Sequence, residues 1–288
     1  MSENSGIQWT THTFNPWWGC AKVSPGCDNC YAERDSKRYG FDLWGVGANR
    51  RTFGDKHWNE PLKWDRASAV SGQRARVFCA SMADVFDKDA PHGARERLWG
   101  LIRSTPNLDW QLLTKRIGNV PKMLPDDWGH GYRNVWLGIS VVNQEEVDRD
   151  IPKLLAVHAA VRFLSCEPLL DAIDLKPFLW QLSSASCRHE TRQHLGLPAL
   201  GWVIVGGESG HKAREFHVEW AQSVTAQCGE AGIPCFVKQV GAKPLMTVTF
   251  MTPGGWAKAH TAPLAISDRK GGVPEDWPES MRVREFPA

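Results

Sequence analysis

Three cysteines near the amino end of the 288-residue chain have a spacing that suits a metal centre with one open position. Cys20, Cys27 and Cys30 follow the pattern C-x6-C-x2-C. A closed structural zinc site takes four ligands, and ordinary iron–sulfur clusters are also held by four cysteines. Three thiolates therefore indicate a centre that leaves one position for another molecule. If that centre is a four-iron cluster, the open iron can bind a small molecule and react with it.

The composition is that of an ordinary globular protein, with 42% apolar and 23% charged residues and a net charge of +2. This nearly neutral balance gives no argument for nucleic-acid binding by the chain as a whole. The first residues lack the apolar core of a secretion signal, and no apolar run approaches the roughly 20 residues of a membrane-spanning helix. Clustered cysteines without an export signal more often bind metal than form disulfides, so we expect a cytoplasmic protein with no membrane partner.

Short apolar runs rich in β-branched residues recur along the chain and end in polar or small residues. Such runs are typical of strands that are buried on both faces of a parallel sheet. With a first strand at 8–14, we predict strands at 75–80, 109–114, 135–140, 161–166, 202–207 and 234–238. Helical patterns lie between them, at 144–160, at 217–229 and around Leu98, Leu101 and Ile102. This alternation predicts an α/β fold with parallel strands, a complete or partial TIM-like (β/α) barrel.

Two segments interrupt the alternation and a third region follows it. Residues 45–74 form a long segment that contains Trp58 and Trp64 and carries six Lys/Arg against three acids. Residues 183–199 are a polar insertion in which Cys187, His189 and His194 resemble a metal site only loosely. After Gly241 the chain is rich in Pro and Gly. We therefore predict a barrel domain at 1–241 that includes both insertions, and an irregular tail at 242–288 packed on it.

Polar residues cluster at the predicted strand ends, where the active sites of (β/α) barrels lie. The cysteine loop follows the first strand and belongs to this face, and Trp17, Trp18 and Trp44 flank it. The other candidates are Ser81, Asp84, Lys115, Ser140, Cys166, Glu167, Gly206, Gly207, Glu208 and Lys238. The alternative is a non-enzymatic nucleic-acid-binding module whose zinc site is completed by a histidine such as His12. A purely structural zinc loop gives no reason for the polar rim.

These motifs resemble the phage Gp37/Gp68 family (DUF5131-like), whose members resemble radical S-adenosylmethionine (SAM) enzymes. The resemblance rests on TFNPWWGC and VSPGCDNCYAE around the cysteines, and on LTKR, WLGISV, RFLSCEPLL, VIVGGESG and FVKQ at strand ends. The enzymes it points to usually space their cysteines C-x3-C-x2-C. Here three extra residues separate the first two cysteines, and the aromatic Tyr31 follows the last cysteine instead of preceding it.

The resemblance implies a [4Fe–4S] cluster on Cys20, Cys27 and Cys30, with SAM on the fourth iron. An electron from the cluster would cleave SAM to methionine and a deoxyadenosyl radical, which takes a hydrogen atom from the substrate. An electron donor such as flavodoxin or ferredoxin would be a partner. The implied SAM-binding residues are Tyr31, Ser81, Asp84, Ser140, Glu167, Gly206, Gly207 and Glu208, and those left for the substrate or for quenching a radical are Lys115, Cys166 and Lys238.

The resemblance also suggests DNA as the substrate, because related radical enzymes are associated with the remodelling of thymine in phage DNA. In one such step, a glycine attached through nitrogen to the thymine methyl carbon is isomerised to a carbon-linked product. The basic segment 45–74 would then lie along phosphates, with Trp58 or Trp64 stacked on a displaced base. A solvated lid is the alternative role for this segment. A DNA repair lyase of the spore-photoproduct type is the alternative enzyme.

Overall fold

The computed structural model describes residues 3–179, 200–251 and 257–288. The chain divides into two compact units, one of residues 1–140 with 150–163 and the other of residues 141–149 with 164–288. The predicted insertion at 183–199, with Cys187, His189 and His194, lies outside the described residues.

Seven parallel strands form the main sheet in the order β1-β2-β3-β4-β5-β6-β8. Neighbouring strands of the sheet follow one another in the sequence, as they do in a TIM-like barrel. Strands β1 and β8 are the two edge strands of the sheet. The predicted α/β fold class is therefore confirmed, in its partial-barrel form. The strands are His12–Phe14 (β1), Ala75–Cys79 (β2), Leu108–Thr114 (β3), Val135–Ser140 (β4), Val161–Cys166 (β5), Trp202–Gly206 (β6) and Cys235–Gln239 (β8).

The first unit contains the parallel pairs β1–β2, β2–β3 and β3–β4. Val77, Trp110 and Val135 stand at neighbouring register positions of β2, β3 and β4 and are fully buried. The helices before the fourth strand are Tyr31–Arg38 (α1), Asp55–Trp58 (α2), Glu60–Ser71 (α3) and Ala94–Arg103 (α4). As predicted, the apolar residues of α4 are buried.

The segment 45–74 contains regular structure, because α2 and α3 lie within it. Helix α3 carries Pro61 in its first turn, where the missing N–H of proline leaves no bond unmade. It ends at Gly72, whose φ of 69° is the left-handed conformation that glycine adopts without strain. Trp58 and Trp64 are buried, so neither is available to stack on a base. The predicted stacking role of these two residues is therefore wrong.

The helix after β4 is Gln144–Leu155 (α5), five residues shorter than the prediction of 144–160. Val147, Ile151 and Leu154 are buried, as their spacing indicated. His158 lies beyond the end of the helix and is exposed. The next described helix is the short Lys176–Leu179 (α6).

The second unit pairs β6 with β8 in parallel and contains Val218–Ala231 (α7) between them in sequence. Val218, Ala221, Val224 and Cys228 recur at helical spacing along α7 and are buried. The helix ends at Gly232, which has a left-handed φ of 65°.

The predicted irregular tail contains regular structure at residues 244–251 and 257–263. Pro244–Met251 (β9) and Ala257–Pro263 (β10) are antiparallel strands, and β9 also pairs with the short strand Phe216–His217 (β7). Much of this hairpin is exposed, so it lacks the apolar runs that mark buried strands. The final residues return to β8, where Glu285 N donates to Cys235 O at 2.9 Å. In the part of the chain that the structure describes, no helix has the length and apolar character to span a bilayer.

Candidate functional site

The cysteine loop connects β1 to α1 and is shaped by its own backbone. Pro25–Cys27 forms one turn of 3-10 helix, and the Ser24 hydroxyl caps it by accepting a hydrogen bond from Gly26 N at 3.0 Å. Cys30 N donates to Cys27 O at 3.3 Å, and Cys30 is the residue that precedes the first turn of α1. Cys20, Cys27 and Cys30 are all half-buried free thiols.

Arg116, which follows β3, makes the side-chain contact to Cys20. Its Nη1 donates to Cys20 Sγ at 3.4 Å and to Asp84 Oδ2 at 2.9 Å, and its Nη2 donates to Ala21 O at 2.6 Å. Burial and the Asp84 carboxylate raise the pKa of the Cys20 thiol to about 12, while Arg116 acts in the opposite direction. Burial alone would lower the pKa of Arg116, but Asp84 and Cys20 hold it above its ordinary value.

The Asp84 carboxylate is buried and accepts hydrogen bonds from several groups of the protein. Thr114 Oγ1 donates to its two oxygens at 2.8 and 3.0 Å, and the backbone N–H groups of Phe86 and Lys115 donate at 2.9 and 3.2 Å. Together with Arg116, these donors fix the carboxylate behind the cysteine loop. The role predicted for Asp84, SAM binding, stays a prediction.

Ser81 and Tyr31 meet at the same loop. Tyr31 Oη donates to the backbone oxygen of Ser81 at 2.9 Å, although the ring is 44% exposed. Asn15 Nδ2 donates to Ser81 Oγ at 3.0 Å, and Asn15 Oδ1 accepts from Met82 N at 2.7 Å. The structure thus brings Tyr31 and Ser81 together and adds Asn15, which the sequence analysis missed. Its signal was an Asn-Pro pair between a strand and the first cysteine.

The charge of Lys115 favours the thiolate form of Cys30, whereas Arg116 contacts Cys20. Burial raises the pKa of Cys30, while the backbone N–H groups of Glu33 and Ala32 and the Lys115 ammonium act against that rise. The N-terminus of α1 and one cation therefore both favour negative charge on this sulfur. The predicted substrate role of Lys115 stays a prediction.

The donor set suits a cluster with an open position, although the sulfurs are not gathered around one point. In the part of the chain that the structure describes, no three Cys, His, Asp or Glu residues form a group that could hold a metal ion. The fit is chemical: three thiols share one loop, and two of them have donors suited to an anionic sulfur. His12, the proposed fourth ligand of a closed zinc site, stacks on Trp64 at 4.4 Å between ring centres, and its Nδ1 accepts from Asn4 N.

Two arginines of the segment 45–74 have side chains that contact other groups of the protein. Arg50 has a side chain 2% exposed, pairs with Asp87 at 2.9 Å and donates to the carbonyls of Leu43, Gly45 and Ala48. The Arg51 guanidinium lies 4.2 to 5.2 Å from three aromatic ring centres, those of Trp18, Phe41 and Phe53. The phosphate contact predicted for Arg50 is therefore wrong, because its donors face carbonyls and a carboxylate.

Glu167 and Lys238 form an ion pair within the second unit. Lys238 Nζ lies 2.5 Å from Glu167 Oε1, and both side chains are about one-fifth exposed, at 22% and 19%. A Cβ atom at Gly206 would approach the Glu167 side chain to 3.3 Å. The structure therefore brings three of the predicted residues together: Glu167, Gly206 and Lys238.

Gly207 and Glu208 both contact other residues of the second unit closely. A Cβ atom at Gly207 would lie 2.5 Å from Val240 O, so only glycine fits beside this backbone. Arg214 donates to Glu208 through Nη2 at 2.5 Å, through its backbone N at 2.9 Å and through Nε at 3.2 Å. Both observations give these residues structural partners, and their role in SAM binding stays a prediction.

Cys166 is fully buried in the second unit. Burial raises the pKa of its thiol, and the nearby Cys235 adds to the rise. The neighbouring Cys235 thiol and burial both raise the pKa of the Cys228 thiol of α7. Cys166 therefore belongs to a buried group of thiols, and a role with substrate stays a prediction. In the first unit, the buried side-chain polar atoms that lack a hydrogen-bond partner among the described residues include Trp17 Nε1, Trp18 Nε1, Trp64 Nε1, Gln111 Oε1 and Ser140 Oγ.

The fold and the cysteine loop define a parallel α/β protein with a three-thiol site after its first strand. The chain belongs to the family described as "Protein of unknown function (DUF5131)", whose model matches residues 4–259. The stress response protein ish1 of Schizosaccharomyces pombe is 22% identical over 170 residues, which are 58% of this chain and 24% of that protein. The chain thus spans about a quarter of this curated relative, by the 24% coverage.

Two solved structures share a general likeness of fold with the chain. A cysteine-to-serine variant of spore photoproduct lyase has a TM-score of 0.47 and 12% identity, with 90% of this chain and 71% of that chain covered. Spore photoproduct lyase complexed with dinucleoside spore photoproduct has a TM-score of 0.44 and 12% identity, with 85% and 67% covered.

Proposed function

We infer that the protein is a radical SAM enzyme whose Cys20, Cys27 and Cys30 hold a [4Fe–4S] cluster. The observation that carries this proposal is the loop itself, with three free, half-buried thiols after β1 and cationic or backbone donors beside two of them. When bound, such a cluster supplies the electron that cleaves SAM to methionine and a deoxyadenosyl radical, which abstracts hydrogen from the substrate.

The chain's own residues hold and surround the reacting groups. Three cysteines leave one iron without a protein ligand, and this is where the amino and carboxylate groups of SAM would bind. Ser81 and Tyr31 are joined by a hydrogen bond beside the loop, which supports our proposal that they contact SAM there. We also propose that the buried Ser140 hydroxyl, which lacks a hydrogen-bond partner among the described residues, donates to SAM.

Anaerobic purification with iron and sulfide analysis tests the proposal. We expect a brown protein with about four irons and four sulfides per chain. Cys27→Ala should lose the cluster and SAM cleavage, because it removes one of three ligands. Cys228→Ala is the matched control, since that thiol is buried in the second unit and should leave iron content unchanged. One stoichiometric zinc without sulfide, or equal iron in Cys27→Ala and the parent, would contradict the assignment.

For the substrate we propose a modified thymine in phage DNA, on which the enzyme isomerises an N-linked glycyl group to a C-linked product. A deoxyadenosyl radical suits this step, because it can take a hydrogen atom from the glycine α-carbon. Four basic side chains of the segment 45–74 are exposed, namely Lys56, Lys63, Arg66 and Arg74. Arg74 is engaged by Asp109 and by two backbone carbonyls, so the first three support contact with phosphates. The Lys63 ammonium pairs with the Glu60 carboxylate at 2.8 Å. Breaking such an exposed ion pair costs little free energy, so Lys63 can turn to a phosphate.

The salt dependence of DNA binding tests this substrate class. Each phosphate contact that is removed should flatten the dependence of log affinity on log salt by about 0.7–0.9. Replacing Lys56, Lys63 and Arg66 by glutamine should therefore weaken DNA binding and lower the slope by about 2 to 3. Arg103→Gln removes one exposed cation outside this segment and is the control. Equal slopes of log affinity against log salt for the parent and the triple variant would contradict the DNA assignment. The radical enzyme would then act on a different substrate.

A further inference from the structure

Arg116 stands out among the residues around the cysteine loop because it is buried and contacts a cysteine sulfur. Its side chain is 8% exposed. A buried guanidinium is stable only when its donors are paired, so its partners are fixed by the fold. Its Nη1 bonds Cys20 Sγ and Asp84, and its Nη2 bonds Ala21 O. One planar group thus attaches two consecutive residues of the loop to the end of β3.

The groups behind Arg116 are themselves fixed. Asp84 is held by Thr114 and by two backbone N–H groups. On the other side, Asp87 Oδ1 lies 4.0 Å from Arg116 Nη2, and Arg50 holds Asp87. Arg50 in turn donates to Gly45 O, while Gly45 N donates to Cys20 O at 2.9 Å. Both the side chain and the backbone of Cys20 are therefore tied to one buried network.

The other two cysteines are held differently. Cys30 faces backbone N–H groups at the start of α1, and Cys27 lies in the 3-10 turn that leads to it. Cys20 is separated from them by residues 21–26, which include the three positions added relative to the usual spacing. A longer connection needs more restraint to present its sulfur at a defined point, because each added residue brings conformational freedom.

We propose that Arg116 is a positioning residue for the iron–sulfur cluster, fixing Cys20 as a ligand and raising the reduction potential of the cluster through its hydrogen bond and charge. This inference rests on the proposed function. Hydrogen bonds to cluster sulfurs and nearby charge are among the factors that set cluster potentials, and groups that orient metal ligands contribute to metal retention.

The test uses the anaerobically purified full chain and two readouts, the rate of iron loss to a chelator and the midpoint potential. Arg116→Met should lose iron about 10–100-fold faster than the parent and show a lower midpoint potential. Arg116→Lys keeps the charge but not the two-armed geometry, so both readouts should lie between those of the Met variant and the parent. Arg103→Met is the control, because that side chain is 46% exposed and pairs with Asp127 at the surface.

Asp84→Asn separates positioning from general loosening of the network. It removes a negative charge beside Arg116, so the midpoint potential should rise, the opposite sign to Arg116→Met. If Arg116→Met does not fold, Arg116→Lys and Asp84→Asn decide. Parent-like potential and iron retention in the Arg116 variants would overturn this inference while leaving the cluster in place. A parent protein without iron and sulfide would instead overturn the proposed function, and this inference with it.

Discussion

Replacing Arg50 by methionine is expected to lower the free energy of unfolding by about 3–5 kcal/mol. The guanidinium is 2% exposed and Asp87 is 5% exposed, with Nη2 and Oδ2 2.9 Å apart. Methionine fills part of the volume but leaves the Asp87 carboxylate buried without its main counter-charge. Among the described residues, the remaining partners of the Asp87 carboxylate are the uncharged backbone N–H of Asp89 at 3.3 Å and the Arg116 guanidinium, which is 4.0 Å away, and neither replaces the lost pair.

Urea unfolding followed by tryptophan fluorescence measures this loss. The double variant Arg50→Met with Asp87→Asn should recover part of it, because the amide carries no charge to be stranded. Lys63→Met is the matched control: its side chain is 59% exposed and pairs with Glu60, and such surface pairs contribute about 0–1 kcal/mol. If Arg50→Met costs no more than the control, the buried network does not carry the stability assigned to it.

Two further predictions concern packing and pH. Gly207→Ala should destabilise the protein by about 1–3 kcal/mol, because the new Cβ would lie 2.5 Å from Val240 O. The control is Gly229→Ala in α7, whose new Cβ meets nothing within 4 Å and which should be neutral or stabilising. Equal urea midpoints for the two variants would contradict this prediction. Burial lowers the pKa of His57, whose Nε2 donates to Asn15 O at 2.7 Å, so the unfolded state binds the proton more readily. Stability should therefore fall as the pH drops below about 6.5, and His57→Gln should flatten that dependence.

The sheet could be predicted from the sequence because its strands are buried on both faces. The runs at 135–140 and 161–166 coincide with β4 and β5, since a continuous apolar run bounded by polar residues has few other solutions. The hairpin of β9 and β10 was missed for the converse reason. Its residues are largely exposed, and what makes them strands is pairing with each other and with β7, a tertiary contact that leaves little local signal.

The strand ends identified candidate residues but not the direction in which each side chain points. Cys166 ends β5, yet it lies in the core near Cys235, while Glu167, one residue later, meets Lys238. Successive side chains of a strand point to opposite faces, so neighbouring positions at one strand end have opposite fates. Choosing between them requires the register, which the sequence analysis did not have.

Charge was the least predictable property, because a basic residue in a sequence does not reveal what it faces. Arg50 counted toward a DNA-binding segment and is instead buried against Asp87. Arg116 carried no predicted role, yet its guanidinium contacts the first cysteine of the motif. In both cases the partner lies more than thirty positions away in the sequence, at 37 and 96 residues respectively.

The cations after β3 add to the cysteine motif an argument that spacing alone does not contain. Three thiols in C-x6-C-x2-C are compatible with a zinc site or with an iron–sulfur cluster. Arg116 reaches Cys20 and the charge of Lys115 reaches Cys30, so two adjacent residues serve two different sulfurs. His12, which would close a four-ligand zinc site, is committed to Trp64 and to Asn4 N. Cationic neighbours at two of the three sulfurs, together with the engagement of His12 elsewhere, support the proposed cluster over a closed zinc site that His12 would complete.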